Sequence, residues 1–397
     1  MAEASAHKLS FVRETTRGVT PTNPRFIALP DTRTTLALTK ENLTSERITG
    51  DRFPAVPRSG ADGVGGDIPA DLSAGAYDDF IESALQGAFV ADPANVNDMV
   101  DLEVDGLARA DKEEGFESVT ANGTVVVERL DSKAEIVVFR FDPTVAGPST
   151  NHVVEGLSSV TIDSVVFEVI AYEDGIGSHT AKAGDTRLSF SVLREFSDLE
   201  VGSKPFMLFR GVEVATWNLT AAANAIAKST FTLWGRGMDG PNENAPTNSS
   251  VAPSIDTEPF DTFTGSLEID GVPSAIVTDY NFTINNNHAP RFVVGFKNSQ
   301  DASVGQAVVE GSLTVYFNNT TLLEKFISQT SFSITLTLQD TNGNQYVVKL
   351  PNLKIGNGTQ PDVSGDGPLT LPINFTGHRD STEGTHLSVQ RIYPLAV

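Results

Sequence analysis

The 397-residue chain contains no cysteine, and this absence excludes several classes of protein. A chain without thiols has no disulfide framework, zinc–thiolate site, iron–sulfur cluster or cysteine nucleophile. Basic residues are also scarce, since 28 Lys and Arg stand against 51 Asp and Glu, which gives a formal net charge of −23. Nucleic-acid affinity comes largely from Lys and Arg that displace counterions from phosphates. We therefore expect no surface that binds nucleic acid tightly.

Long apolar runs are missing as well. No stretch approaches the roughly 18–20 apolar residues that span a bilayer as a helix. The first ten residues, MAEASAHKLS, lack the apolar core of a secretory signal. We expect a soluble protein without a membrane segment, which stays in the cytoplasm of the cell that made it until it assembles.

Catalytic motifs are missing too. The six histidines are scattered without metal-binding spacing, and no Gly-x-Ser-x-Gly elbow, phosphate-binding loop or Gly-x-Gly-x-x-Gly fingerprint occurs. A carbohydrate-binding module or hydrolase is a rival class, because the chain is rich in strand formers and aromatic residues. A glycosidase would need two carboxylates that project into an aromatic cleft, and the sequence nominates no such pair. The sequence thus predicts no enzyme, no metal and no cofactor.

What the chain does contain is the pattern of β-strands. Short stretches rich in Val, Ile, Phe and Thr recur between clusters of Gly, Asn, Asp and Pro, and several of them alternate apolar and polar residues. An Asn-Gly pair within 340–345 is typical of a hairpin turn. Two stretches, 76–85 and 321–328, instead show the helical spacing of apolar residues. The sequence predicts a fold dominated by strands, with two short helices.

The two halves of the chain resemble each other at a nearly constant offset of 244 to 246 residues, across a strand, a loop, a second strand and a helix. Such a constant offset indicates an internal duplication. The matched positions are Leu38 with Phe282, Arg47 with Arg291, Gly66 with Gly311, and Phe80 with Phe326.

Beyond the first helix the offset falls to about 144, which indicates that the first copy carries about 100 additional residues. Between Gln86 and Thr186 there are 19 acidic and 6 basic residues, a net charge of −13 that leaves −10 for the rest of the chain. The matched positions after this insert are Val192 with Leu336, Val214 with Ile355, and Leu233 with Phe375.

These patterns predict four segments. The first module is discontinuous and consists of 1–86 and 187–240, and the acidic, strand-rich insert of 87–186 forms a small β domain of its own. A stretch rich in Gly, Pro, Asn and Ser, 241–258, is a linker. The second module is 259–397. A long insertion into a surface loop costs little closure entropy, so the insert can decorate the first module without disturbing it.

Five phrases in order resemble the major tail tube proteins of long, non-contractile (siphovirus-like) phage tails. The first, LSFVRETTRGVTPTNP at 9–24, is similar to the phrase with which that family begins. The resemblance extends over roughly 5–85 and 187–395 and does not include the insert. The other four phrases are GDIPADLSAGAYDDFIESAL at 66–85, FRGVEV at 209–214, NNNHAPRFVVG at 285–295 and GSLTVYF at 311–317.

The resemblance implies that each module is a barrel-forming β-sandwich flanked by one helix. It further implies that strands of neighbouring subunits join around a lumen through which DNA passes from the capsid to the host without specific binding. Two modules in one chain favour homotrimeric, pseudo-hexameric rings stacked into a tube, and a homohexamer is the alternative. The implied partners are further copies of the chain and the tape-measure, tail-tip and tail-terminator proteins of the virion. Another virion β protein, such as a tail terminator, a tail-tip component or a capsid decoration protein, is the alternative function.

A tube also requires contacts between stacked rings and a lumen surface along which DNA can slide. The N-terminal arm at 9–19 and the Gly-rich loop at 49–66 are the candidates for these contacts, because both have the composition of flexible segments. An acidic wall repels phosphates, so we predict more Asp and Glu than Lys and Arg along the lumen. The candidate contact residues are Leu9, Phe11, Val12, Val19, Phe53 and Val56.

Overall fold

The computed structural model describes residues 3, 6–31, 33–47, 53, 56–91, 101–105, 119–121, 125–133, 136–141, 159–162, 165–173, 177–200, 202–255, 257–299, 301–356, 360–361 and 368–393. Strands dominate these residues, and the predicted all-β fold is confirmed. The helices are α1 (Asp78–Leu85) and α2 (Thr321–Ser328).

In chain order the strands are β1 (His7–Arg13), β2 (Arg25–Ala28), β3 (Ala37–Leu43), β4 (Arg58–Asp71), β5 (Val90–Ala91), β6 (Asp101–Asp105), β7 (Val119–Ala121), β8 (Val125–Lys133), β9 (Ile136–Phe141), β10 (Ser159–Ile162), β11 (Val165–Glu173), β12 (Gly177–Lys182), β13 (Phe190–Phe196), β14 (Phe206–Ala222), β15 (Lys228–Gly235), β16 (Gly237–Asn242), β17 (Ser250–Ala252), β18 (Asp261–Ile269), β19 (Val272–Pro273), β20 (Val277–Asn285), β21 (Ala289–Arg291), β22 (Asp301–Ser303), β23 (Val308–Tyr316), β24 (Phe332–Gln339), β25 (Gln345–Ile355), β26 (Thr370–Gly377) and β27 (Ser388–Tyr393).

The chain divides into two compact units, of which the first comprises 1–88, 181–341 and 347–389. Within it, β2, β1, β13, the first half of β14 and β16 pair in that order, and each pairing is antiparallel. The segment predicted as a linker contains β17, which adds to this sheet by pairing in parallel with β2. The predicted domain boundaries stay a prediction.

A second row of strands in the first unit runs in the order β3, β4, β15, β14, β20, β23, β26 and β25, again antiparallel throughout. The 17-residue strand β14 belongs to both rows, because its first half pairs with β13 and its second half with β15 and β20. Gly211 lies between the two halves with φ +62°, where a Cβ would come within 2.8 Å of the Arg236 side chain. A residue without a side chain is needed at this change of sheet.

Aromatic side chains form a continuous core through the first unit. Phe11 of β1 packs edge-on against Phe80 of α1, with ring centroids 4.9 Å apart. Phe80 contacts Phe231 of β15, which stacks on Trp217 of β14. Trp217 in turn meets Phe282 of β20 edge-on at 5.1 Å. Edge-on and offset pairs are the favoured aromatic geometries, so these contacts add to the stabilisation from apolar burial.

The two helices are built alike. Each has eight residues and ends at a glutamine in the left-handed conformation, Gln86 and Gln329. The next backbone N–H after each glutamine donates back to the helix, from Gly87 to Glu82 O at 3.1 Å and from Thr330 to Lys325 O at 3.0 Å. Both ends are therefore Schellman-type caps in which Gln takes the place that Gly usually occupies.

The second unit comprises 89–180, 342–346 and 390–397. Six of its strands pair in the order β10, β11, β6, β9, β8 and β7, and β7 pairs with β10. Every pairing in this cycle is antiparallel, so each of the six strands has two hydrogen-bonded neighbours.

Candidate assembly surfaces

The second half of β14 and the strand β20 form a sheet joint between an early and a late part of the chain. Their register places Thr216 opposite Asn285 and continues to Ala222 opposite Asp279. Trp217 is fully buried beneath this joint, and its indole N–H donates to Ser229 Oγ at 3.1 Å, so its one polar atom is satisfied. We call this feature the in-chain joint.

Asn286, immediately after β20, connects the in-chain joint to α1. Its backbone N–H donates to Ala215 O at 2.9 Å. Its side-chain amide donates to Ala84 O in the last turn of α1 at 2.8 Å and to Val214 O at 3.3 Å. Carbonyls in the last turn of a helix have no partner within the helix, so the Asn286 amide satisfies a group that would otherwise need water.

The strand β3 contrasts with β20. It pairs with β4, with Ala37 opposite Gly65, and the described pairings give β3 no second neighbour. Its residues from Thr39 to Leu43 are all exposed, whereas β20 lies between β14 and β23. An edge strand presents N–H and C=O groups that can pair with another chain. The outer edge of β3 is therefore a candidate assembly surface.

A second candidate surface is a pair of loops with exposed apolar side chains. The β21–β22 hairpin, between β20 and β23, exposes Val294 fully and Phe296 by 61%. The loop between β3 and β4 exposes Phe53 by 72% and Val56 by 89%. Adjacent exposed apolar side chains of this size mark interaction sites more often than ordinary surface.

The predicted contact residues fall into two groups. Leu9 and Phe11 are 1% and 2% exposed and belong to the core of the first unit. Val12 is half-buried against the cluster of Phe26, Leu193 and Leu208. The other three, Val19, Phe53 and Val56, are exposed, and a role for any of the six in assembly stays a prediction.

The structure brings one predicted contact residue close to a segment that the sequence analysis did not nominate. Val19 lines a cleft of about 580 Å³ together with Phe296 and Lys297 of the β21–β22 hairpin. The backbone N–H of Asp62 on β4 donates to Lys297 O at 2.9 Å, so the hairpin also lies against the first half of the chain. The apolar run from Phe292 to Phe296, which follows the turn formers Asn285–Asn287, is the sequence signal that could have identified this surface.

Among the repeat-matched positions, Gly66 and Gly311 lie in strands β4 and β23, whereas Phe80 is the third residue of α1 and Phe326 the sixth of α2. A Cβ at Gly66 would come within 2.5 Å of the Leu36 backbone, and one at Gly311 within 2.3 Å of Asn281 O. Neither strand could therefore carry a side chain there without moving its neighbour. Arg47 and Arg291 are both exposed, Phe80 is fully buried, and Phe326 is half-buried.

A buried ionic cluster lies beside the in-chain joint. Glu213 of β14, 3% exposed, forms ion pairs of 2.8 Å with Arg17 Nε and with Arg187 Nη2. Its Oε2 also lies 2.9 Å from Nε2 of His288, which is likewise buried. Burial alone would raise the pKa of Glu213, but the hydrogen bonds from His288 and Arg187 and the charge of Arg17 hold this pKa below its ordinary value. The carboxylate is thus charged at neutral pH.

Within the described residues, no group of three or more His, Cys, Asp or Glu side chains could hold a metal ion. No helix of that part of the chain is both long enough and apolar enough to cross a membrane.

Comparison with known families gives one clear result. The family model of the phage tail tube protein matches residues 4–377, which includes both halves of the internal repeat. A search of curated proteins finds no match.

Proposed function

The chain belongs to the phage tail tube protein family, and we propose that it polymerises as stacked rings into a tube through which DNA passes. The family makes it a structural protein of the virion tail. The match covers both repeats, which favours a tube subunit over a tail terminator, a tail-tip component or a capsid decoration protein. The more specific proposal concerns the ring, the stacking of rings and the lumen.

The ring proposal starts from strand register in the two halves of the first unit. In the first half, β15 pairs with β4 so that Leu233 lies opposite Gly66. In the second half, β26 pairs with β23 so that Phe375 lies opposite Gly311. The sequence matches Leu233 with Phe375 and Gly66 with Gly311, so the two pairings have the same register. This agreement supports an internal duplication.

A strand that the sequence analysis did not match fits the same scheme. Phe11 of β1 lies opposite Val192 of β13, and Leu267 of β18 lies opposite Leu336 of β24. Because the sequence matches Val192 with Leu336, β18 has the same place in the second copy that β1 has in the first. We refer to β1, β3, β4, β13, β14 and β15 as repeat 1, and to β18, β20, β23, β24, β25 and β26 as repeat 2.

The match between β3 and β20 needs a shift of two residues. Phe282 lies opposite Gly311, whereas the residue beside Gly66 is Leu36 and not Leu38. A shift of two keeps every side chain on the same face of a strand, so the inward positions stay inward. We therefore align β20 with β3 at an offset of 246.

The in-chain joint is the observation that carries the ring proposal. It already connects repeat 1 to repeat 2 in one continuous row of eight strands, four from each repeat. If the same joint connects repeat 2 of one chain to repeat 1 of the next, three chains close a ring of six quasi-equivalent repeats. In the alternative ring of six chains, each chain gives one lumen-forming module, and the shared row of strands argues against this. In the closed ring the edge groups of β3 would be paired.

The axial contacts are assigned by the same correspondence. The loop between β3 and β4 and the β21–β22 hairpin join matched strands, and both expose large apolar side chains. We assign them to the contact between rings, because a ring would carry such a loop at each of its six repeats. Tape-measure, tail-tip and tail-terminator proteins remain the proposed partners of the tube.

The charge of the chain suits a conduit. The net charge of −23 disfavours tight contact with phosphates, and the residues outside the insert still carry −10. DNA would then slide along the wall without displacing counterions. The insert lies outside the tube in this proposal, where its charge affects solubility more than DNA passage.

Negative-stain electron microscopy of the purified full chain, in a concentration series with and without tail-tip complexes, tests the proposal. We expect rings or tubes with a central hole, and top views with three outer knobs because each chain carries one insert. Six knobs would favour the ring of six chains. A particle that stays monomeric at every concentration, also with tail-tip complexes, would contradict the tube function. A lumen lined mainly by Lys and Arg would contradict the conduit.

A further inference from the structure

We infer that the tip of the β21–β22 hairpin in one chain enters an apolar groove of a second copy of the chain in the next ring. The tip is the run Phe292–Phe296. The groove lies at the opposite end of β20 from the hairpin, and we call it the β20 groove. This inference rests on the proposed tube and names the surface that receives the hairpin.

The β20 groove has a volume of about 700 Å³. Its walls come from the end of β14, the β18–β19 hairpin, the start of β20 and the end of β24, and most of the lining side chains are small or apolar. Sites that hold a bound group typically have roughly 300–1,000 Å³ and a mainly apolar lining. The groove therefore has the size and the character of a binding site. Lining residues from three of its walls are Ala222, Leu267, Ala275 and Leu338.

A bulge in β18 forms part of this groove. Asp261 and Ser266 are five residues apart, whereas their partners on β24, Gln339 and Thr337, are only two apart. Phe263, within the bulge, lines the groove and is 79% exposed. The matched strand of repeat 1, β1, instead pairs with β13 at seven successive residues. Bulges often redirect side chains towards a functional surface, and this one distinguishes β18 from its counterpart.

The lining differs between the repeats as well. At the offset of 144 that relates β24 to β13, the counterpart of Leu338 is Arg194. The Arg194 guanidinium donates to His7 Nε2 at 3.1 Å and to Leu36 O. The place that is apolar in repeat 2 thus holds a hydrogen-bonded cation in repeat 1. Each chain then offers one β20 groove for the one β21–β22 hairpin of another chain.

A buried hydroxyl indicates that the groove receives a polar partner too. Tyr280 lines the groove, is 1% exposed, and has a hydroxyl without a hydrogen-bond partner among the described residues. Burial raises the pKa of Tyr280, so this hydroxyl stays protonated and can donate. A buried polar group without a partner destabilises the fold. A peptide segment that enters the groove can accept this hydrogen bond with a backbone carbonyl.

The hairpin tip is a tight turn with exposed apolar side chains. The backbone N–H of Phe296 donates to Val293 O at 3.3 Å, which closes the turn. Gly295, at the third position, has φ +92°, a conformation that favours glycine there. Val294, at the second position, is fully exposed, and Phe296 is 61% exposed. The turn therefore presents apolar side chains that another surface can bury.

Charge favours the hairpin tip as the occupant. The tip is flanked by Arg291 and Lys297, which are both exposed. The charged residues adjacent in the sequence to groove-lining residues are all acidic, namely Asp261, Glu268 and Asp279. Hydrogen bonds from neighbouring backbone and hydroxyl groups hold the pKa of Asp261 below its ordinary value, so its carboxylate is charged at neutral pH. A basic segment and an acidic rim are complementary, which fixes the orientation of a contact.

The positions of the tip and the groove suit a stack of rings. The strand β20 begins at Val277, which lines the groove, and ends at Asn285, shortly before the hairpin. At about 3.3 Å per residue the strand is about 26 Å long, so the tip lies far from the groove of its own chain. A protruding segment and its receptor at opposite ends of one element make a head-to-tail contact, and such a contact can propagate without limit.

Cysteine pairs test this contact in the full chain, which has no native cysteine. Val294→Cys is combined with Ala275→Cys or with Ser266→Cys, since both lining residues are small and exposed. Oxidised tubes of at least one of these double variants should give a ladder of dimers, trimers and larger products on a non-reducing gel, because each chain is then linked to a chain in the next ring. An equal mixture of the corresponding single variants should stop at dimers.

Two further pairs test the position and the occupant. Val272→Cys with Val294→Cys is the matched control, because Val272 is 65% exposed and three residues from Ala275 but lies outside the groove lining. This pair should give little cross-linked product. Val56→Cys with Ala275→Cys tests the loop between β3 and β4 as the occupant, and it should also give little product.

A blocking substitution tests the groove without oxidation. Ala275→Trp places an indole at the groove, so single rings should accumulate at the expense of tubes. Its melting temperature should stay close to that of the native chain, because Ala275 is exposed. Val272→Trp is the matched control and should form tubes of normal length.

The outcomes separate this inference from the proposed function. The pair Thr216→Cys with Asn285→Cys, which are opposite each other within the chain, is the positive control for oxidation. Tubes without a ladder from either groove pair, when this control oxidises, would overturn the groove assignment and leave the tube function intact. Tubes of normal length from Ala275→Trp would do the same.

The remaining outcomes concern the occupant and the tube itself. A ladder from the Val56 pair and none from the Val294 pairs would make the loop between β3 and β4 the occupant and overturn the inference. More product from the Val272 pair than from the groove pairs would place the tip outside the groove. The absence of rings, tubes and cross-links, also with tail-tip complexes, would contradict the function and this inference together.

Discussion

The two helices occupy corresponding places in the two repeats, yet they differ in burial. Seven of the eight residues of α1 are buried, whereas only Leu322 is buried in α2. Repeat 2 covers part of α1 directly, since the amide of Asn286 bonds to Ala84 O. At the end of α2 the corresponding contact comes from repeat 2 itself, since Lys354 Nζ donates to Gln329 O at 3.1 Å. The helix α1, which repeat 2 follows along the chain, is therefore buried, whereas α2, which no further repeat follows, is mostly not buried.

The strands show the same relation in the opposite direction. Ile284 of β20 is fully buried beside β14, whereas its counterpart in β3, Leu38, is half-buried. In repeat 1, the outer edge of β3 thus has no partner strand among the described residues. In repeat 2, α2 has only one buried residue. A repeat array leaves open ends of this kind unless it is capped or closed into a ring. Breaking the joint inside the chain should therefore destabilise the monomer, while changes at the open ends should affect assembly alone.

The largest effect is expected at the ionic cluster. Glu213 of repeat 1 is buried between Arg17, Arg187 and His288, whereas its counterpart in repeat 2 is the exposed Lys354. Glu213→Gln should lower the free energy of unfolding by about 3 kcal/mol, because two half-buried guanidinium groups lose the buried carboxylate that balances their charge. Lys354→Gln, the matched control, should change it by less than about 0.5 kcal/mol. Urea denaturation of both variants measures the difference, and equal values would contradict the assigned role of the cluster.

The helices give a contrasting pair of substitutions, one at a buried and one at an exposed isoleucine. Ile81→Ala in α1 should cost about 3 kcal/mol, because the side chain is fully buried. Ile327→Ala in α2 should change the stability of the monomer by no more than about 0.5 kcal/mol, since 73% of that residue is exposed. The same Ile327 variant should raise the protein concentration needed for ring formation, measured by light scattering. Normal assembly of this variant would remove α2 from the interface between chains.

A smaller, pH-dependent effect should accompany Glu213. Because its pKa in the folded protein is below the ordinary value, the carboxylate stabilises the fold above the ordinary pKa of 4.5. This contribution is lost as the pH falls through the folded-state pKa. The difference in free energy of unfolding between the native chain and Glu213→Gln should therefore be constant from pH 7 to about pH 5 and then shrink. A difference that grows on acidification would mean that the folded-state pKa is raised.

The sequence was informative where the pattern is local. Alternation of apolar residues located the strands, and the helical spacing at 76–85 and 321–328 located both helices to within about two residues. The match of Gly66 with Gly311 follows from a steric requirement, since neither strand accepts a Cβ there. Where the neighbouring backbone leaves no room for a Cβ, the sequence must have glycine, and a glycine repeated at matched positions is visible without the structure.

The sequence was uninformative about features that depend on which strands pair with each other, such as the place of a strand in its sheet or the burial of its residues. The strands β1 and β18 have few identical residues, so their common place became visible only through the strands they pair with. Leu9 and Phe11 are apolar near a terminus, and only the pairing of β1 with β13 shows that they are core residues. The open edge of β3 has no local signature either, because its exposure depends on the absence of a neighbour.

The smallest effect on the monomer, and the most specific effect on the tube, is expected at the β21–β22 hairpin. Val294→Asp should leave the free energy of unfolding within about 0.5 kcal/mol of the native value, because this side chain has no burial to lose. A charge there would oppose desolvation between stacked rings, so single rings should accumulate in micrographs at the expense of tubes. Val272→Asp at β19 is the control, since Val272 is also exposed but lies outside the proposed contacts. Long tubes from Val294→Asp, or short ones from Val272→Asp, would place the contact between rings elsewhere on repeat 2.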